Sequence, residues 1–151
     1  MNESGLSRSE VIAMVGGVLL AIGLFLTWYK IDARNAINGH PGPATFSGWQ
    51  AHTIARWFLL AGALAPLILA WIIWRGHALS WPRGEMTAVS AIAALGLIVY
   101  LTLIDKPGDT SGLTHLRLGV LVSLVGAGLM LAGSATRASS VERPRKPPGT
   151  I

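Results

Sequence analysis

The sequence predicts an all-α protein, a four-helix transmembrane bundle built from two helical hairpins. Three observations predict it. Hydrophobic residues make up 52% of the 151 positions and charged residues only 13%, about half the charged share of an ordinary soluble domain. The charge is segregated: residues 11–29, 57–74, 86–104 and 118–136 hold no Asp, Glu, Lys, Arg or His. Each run is 18 or 19 residues long, near the ~20 residues with which a helix crosses the hydrocarbon core. None has a polar face at the 3.6-residue period, and a backbone in lipid must satisfy its own hydrogen bonds, as a helix does.

The elements follow in order. The lead "MNESGLSRSE" carries one Arg against two Glu, and "WYKIDARNA" offers no small-x-small cleavage site. Together with the length of the first run, this marks a retained span rather than a removable signal peptide. The next loop, residues 30–56, holds Gly39, Pro41, Gly42, Pro43 and Gly48, a density that breaks regular structure. At its end, "SGWQAHTIARWF", Ser47 is placed to cap a turn or two of interfacial helix, with Trp49, Ile54, Trp57 and Phe58 on one apolar face. Pro66, near the middle of the second span, favours a kink with a neighbour packed against it. Residues 1–136 are thus read as the membrane domain, with spans at about 11–29, 57–74, 86–104 and 118–136. The tail from 137 to 151, "RASSVERPRKPPGTI", is basic and Pro-rich with nothing to bury, and is read as disordered.

Small residues mark expected helix contacts. Gly119, Ser123 and Ala127 recur every fourth residue in span four, Gly128 and Ala132 give a second register, and Ala13, Gly17 and Ala21 do the same in span one.

Charge sets the expected orientation. Four spans put both termini and the short loop 75–85 on one side, with seven Lys and Arg against five on the other. The positive-inside bias places that side, both termini included, in the cytoplasm of a cell (inner) membrane. The net charge of +5 is spread over all five polar segments without a basic stripe, so the partner it implies is the lipid bilayer and not nucleic acid. Trp28, Tyr29, Trp57 and Tyr100 fall at the outer span ends and Trp71, Trp74 and Trp81 at the inner ends, as interfacial anchors do.

The two outer loops share an order of residues: Ile31-Asp32 and Ile104-Asp105, Ser47-Gly48 and Ser111-Gly112, His52 and His115, Arg56 and Arg117. The spacings differ, so a duplicated hairpin is one reading and a small loop vocabulary the other. Asp32, Asp105, Arg56 and Arg117 all belong to the outer level of the bilayer. The favoured reading is that they pair and clamp the hairpins. The alternative is an outward-facing binding site of Asp32, His52, Arg56, Asp105, His115 and Arg117, in which arginine takes the carboxylate or phosphate of an anionic solute. Two histidines at helix ends raise haem or metal ligation, but they lie outside the spans with no His-x-x-x-His or acidic cluster. No metal or cofactor is therefore expected.

Several classes are excluded by what is missing. Without cysteine, thiol catalysis and disulfide chemistry have no residues. No expected span contains the acid that a proton-coupled exporter or pump uses, and no phosphate-binding loop, zinc-protease motif or Gly-x-Ser-x-Gly is present.

At "GLFLTWYKI", "FSGWQA", "YLTLIDKPG" and "LRLGVLVSLVGAGLMLAG" the chain resembles a broad, uncharacterised group of four-span integral membrane proteins of high-GC Gram-positive bacteria. That group has Leu-Pro-Trp-Tyr after span one, Gly-Trp before span two and Ile-Asp-x-Pro after span three; here Thr27 stands in place of the proline. The resemblance implies an architecture and no activity. A topological likeness to claudin-type proteins stops at that family's paired loop cysteines.

The expected function is that of a small non-enzymatic membrane protein, an accessory or interaction subunit with a membrane-protein partner or a second copy of itself. Binding or transport of a small solute at the outer cluster is the rival. The topology is testable with a reporter fused after Ile151: a cytoplasmic marker should be active there. Activity of a periplasmic-type reporter would overturn the orientation.

Overall fold

The computed structural model describes residues 6–31, 44–77, 84–107 and 114–140. It contains four long helices able to cross a membrane: α1 (Arg8–Phe25), α3 (Ala55–Trp74), α4 (Glu85–Leu103) and α5 (Leu118–Ser140), with a one-turn α2 (Gly48–Ala51) before α3. Residues 32–43, 78–83, 108–113 and 141–151 lie outside the description, and with them Asp32, Trp81 and most of the expected tail. The last helix continues to Ser140, four residues past the expected limit.

The helices form a ring in which each neighbours the next, and α1 meets α5 to close it. That closing contact is the most extensive, and it is made of backbone. A Cβ added at Gly16 would lie 2.5 Å from the Gly126 carbonyl oxygen and 2.6 Å from the Met130 nitrogen. One at Gly126 would lie 2.5 Å from the Leu20 nitrogen, and one at Gly133 would lie 2.5 Å from the Ser9 carbonyl oxygen. One at Gly23 would collide with Ser123. Glycine removes the side chain that would hold the backbones apart, and dispersion between close helices replaces the hydrophobic drive that lipid does not supply. The expected register Gly119, Ser123 and Ala127 lies in this interior. The second does not: Gly128 faces open space and Ala132 is exposed. Gly17 packs instead on α3, against the Ala63 backbone and the Pro66 ring, which supplies the neighbour that an intrahelical proline calls for.

A correction concerns the end of span one. The helix stops at Phe25, Leu26 turns extended, and Thr27–Ile31 is a strand, β1. Strands β2 (Ala44–Ser47) and β3 (Thr114–Leu116) pair antiparallel on either side of it, giving the order β2-β1-β3. The two connecting loops at this end of the bundle therefore build a single cap. Trp28 and Tyr29, expected as interfacial anchors, are 0% exposed in the core beneath it. The reason is that their backbone is already strand, which folds back over the bundle end instead of continuing along the lipid boundary. Trp57, Trp71, Trp74 and Tyr100 remain exposed around the bundle, as anchors would be.

A second correction falls at the opposite, terminus-bearing end. Helix α1 starts at Arg8, so Glu10 lies in its first turn, where it is buried at 8% exposure. Its Oε2 accepts from the Ser7 backbone N–H at 2.8 Å, while the Ser7 hydroxyl accepts from the Glu10 N–H, a capping box. The cleft beside it, against Thr87 and Ser134, has about 10 Å³ of room, enough for one water and no ligand.

Glycine-to-alanine scanning tests the closing contact. Gly16→Ala and Gly126→Ala should each cost roughly 1–3 kcal/mol through overpacking, read as a lower unfolding midpoint in detergent. Gly128→Ala, on an open surface, should be neutral or slightly stabilising through helix propensity. Equal loss at all three positions would contradict the contact.

Candidate functional site

The cap end is organised around the dipeptide Trp28-Tyr29. A helix leaves its last carbonyls without intrahelical donors, and these two side chains serve two different helices. The Trp28 indole Nε1–H donates to the Gly23 carbonyl of α1 at 2.8 Å. The Tyr29 hydroxyl donates to the Leu101 carbonyl of α4 at 3.2 Å. Trp28 fits because two glycines admit its ring: a Cβ at Gly48 would lie 2.5 Å from Trp28 Cε2, and one at Gly119 would lie 2.6 Å from Trp28 Cδ1. The Arg117 backbone N–H closes the edge onto the Trp28 carbonyl at 2.8 Å.

His52 lies just after α2, whose N-cap is Ser47 as expected: Ser47 and Gln50 form a capping box. The ring is buried at 8% exposure, with Nε2 2.8 Å from the Tyr29 hydroxyl. The Tyr29 hydroxyl thus stands between the His52 ring and the Leu101 carbonyl, and the ring tautomer decides which of the Tyr29 and His52 atoms donates. Trp28 meets the His52 ring edge-on at 6.0 Å. Burial pushes the His52 pKa below its ordinary 6.5, with the Asp105 carboxylate opposing. Burial, aided by Asp105, pushes the Tyr29 pKa up, so the hydroxyl remains a donor.

Of the six candidates from sequence, the fold brings His52 and Asp105 together. Both line a groove of about 430 Å³ with Phe58, Leu97 and Tyr100. Arg56 is elsewhere. Its guanidinium lies 4.8 Å from the Trp49 ring centre and 5.5 Å from that of Trp57, and Nη1 donates to the Trp49 carbonyl at 3.4 Å. Phe25 stacks on Trp49 at 5.1 Å. Aromatic faces thus hold the charge, and no ion pair joins Arg56, Asp105 or Arg117 to another described residue. Arg117 is exposed at the entry to α5, and Asp32 lies outside the described residues.

His115 is separated from His52 by the sheet. It pairs with Lys30 in β3, and alternation along a strand puts both on the face opposite Tyr29 and Ile31. The matched residues of the two loops consequently occupy unlike places: Ile31 is buried in a strand and Ile104 is an exposed helix cap, His52 is core and His115 surface. Tyr29 was the missing member of the sequence-derived site, and its signal was faint: a polar tip inside an aromatic pair.

Four apolar membrane-length helices make this a membrane protein. Comparison with protein-family models, with curated proteins and with solved structures finds no match.

Tyr29→Phe should cost about 1–3 kcal/mol, because it leaves His52 Nε2 and the Leu101 carbonyl without their partner. The His52 shift also fixes a sign. A depressed folded pKa means that the unfolded chain binds the proton first, so stability is full above about 6.5 and falls as pH drops through the folded value. The unfolding midpoint in detergent should decline from pH 7 to pH 5 more steeply in the wild type than in His52→Gln. Parallel slopes would refute the assignment.

Proposed function

We propose that this protein is a non-enzymatic integral membrane protein, an accessory or interaction subunit, with both termini cytoplasmic and the sheet cap on the outer side. The observation that carries the reading is the plug at the cap end. Trp28, Tyr29, Leu24 and Ile31 are at most 1% exposed beneath the sheet, and α1 and α5 close backbone on backbone below them. A solute route between the helices would have to open this packing, whereas a docking role uses the cap as it stands. The sheet gives that role a firm surface, since Lys30, Thr45 and His115 align on the face away from the bundle.

The rival, recognition of an anionic solute, would rest on Arg56 and Arg117, and neither lines the groove that holds His52 and Asp105. The two readings separate in one experiment, since the chain has no cysteine. Single cysteines at Lys30, Thr45 and His115, cross-linked in native membranes, should each give the same discrete adduct to one partner. Lys30→Glu should reduce that adduct without changing thermal stability. Absence of an adduct, together with a carboxylate or phosphate solute that raises the unfolding midpoint of the wild type but not of Arg117→Ala, would favour the solute reading.

A further inference from the structure

The side of the bundle opposite the α1–α5 seam is open. Between α3 and α4 a groove of about 500 Å³ runs from Val89 and Ser90 to Phe58 and Leu97. The Ser90 hydroxyl is spent on the Met86 carbonyl at 2.8 Å, so the groove is apolar in effect. At Phe58 and Leu97 it meets the second groove, of about 430 Å³, which ends at His52 and Asp105. The small residues Ala61, Gly62 and Ala93 line it, and a Cβ at Gly62 would sit in ordinary contact with the Ser90 carbonyl oxygen at 3.7 Å, so the two helices approach at the groove floor.

From Asp105 at the cap end past Leu97 to Val89 the two grooves run about 24 Å along α4 at 1.5 Å per residue, which reaches past the middle of the ~30 Å core. A hydrocarbon chain entering from the cap side meets an apolar lining over that length. The polar end adds chemistry. Asp105 is an exposed carboxylate that no described donor meets, and His52 lines the same end. The carboxylate oxygens accept hydrogen bonds and carry the negative charge.

We propose that the α3–α4 groove binds one amphiphile of the cap-side leaflet, its chain along Val89–Leu97 and a primary ammonium headgroup at Asp105 and His52. A phosphatidylethanolamine headgroup has the N–H donors and the positive charge that these acceptors select. Phosphatidylcholine has the charge without the donors, and phosphatidylglycerol the donors without the charge. The site is independent of the docking role of the cap, since Lys30, Thr45 and His115 line neither groove.

The test uses the full-length protein in nanodiscs of phosphatidylcholine doped with equal fractions of phosphatidylethanolamine or phosphatidylglycerol, followed by native mass spectrometry of retained lipid and by thermal unfolding. Phosphatidylethanolamine should be retained about tenfold over either competitor, the factor that one charge-assisted hydrogen bond supplies, and should raise the unfolding midpoint. Asp105→Asn, at an exposed position, should abolish the headgroup preference yet keep a bound chain. Ala93→Phe, which fills the groove from a lipid-exposed position, should abolish retention altogether while leaving the midpoint in detergent unchanged. Equal retention of the three lipids overturns the proposal. So does a preference that survives both substitutions, or a groove that cross-links through Ala93→Cys to a second copy or another protein.

Discussion

The backbone contact between the first and last helices determines most of what else the chain does. Antiparallel α1 and α5 bring the C-terminus of one beside the N-terminus of the other. Whatever follows α1 must then lie next to whatever precedes α5, running in the opposite direction. Those segments are β1 and β3, and they pair. The sheet is thus a consequence of the helix seam, and the hydrogen bonds of β1 complete what the glycines begin. Glycine in a helix costs roughly 1 kcal/mol relative to alanine. Gly16, Gly23, Gly126 and Gly133 accept that cost where a Cβ would meet backbone or a buried serine.

This origin explains what could and could not be read beforehand. The four spans were legible because exclusion of charge over 18 or 19 residues is a strong, local signal. Cap box and small-residue register were legible for the same reason: Ser47 and the Gly119, Ser123, Ala127 series act within one helix. The sheet was not, since its central strand pairs across ~85 residues to a three-residue partner, and β-propensity without a turn in between carries little information. Trp28 and Tyr29 continue an apolar run without a polar break, so hydropathy assigns them to the helix and its interface.

The site followed the same division. His52 stood out as a polar residue at a span end, and Asp105 likewise, and the fold does place them on one groove. Arg56 was also visible, but its surroundings were not. An arginine beside Trp49 and Trp57 can satisfy itself on aromatic faces as well as on an acid, and residue order cannot choose between them. The apparent likeness of the two loops fails for a related reason. It matched residue types, whereas burial depends on which strand face each type occupies, and His52 and His115 fall on opposite sides of the sheet.

The consequence for function lies in the contrast between the two halves of the ring. The α1–α5 side has no room for rearrangement, since backbone atoms fill the places where side chains would yield. The α3–α4 side is lined by small residues along an open groove, and among the described residues the Tyr29 hydroxyl on the Leu101 carbonyl ties α4 to the cap. The same hydroxyl meets the His52 ring, so α4 and the polar end of the groove share a contact. A ligand at Asp105 and His52 would sit beside the hydroxyl that ties the cap to α4. On the reading proposed above, one half of the bundle holds the cap while the other offers its groove to a lipid of the surrounding leaflet.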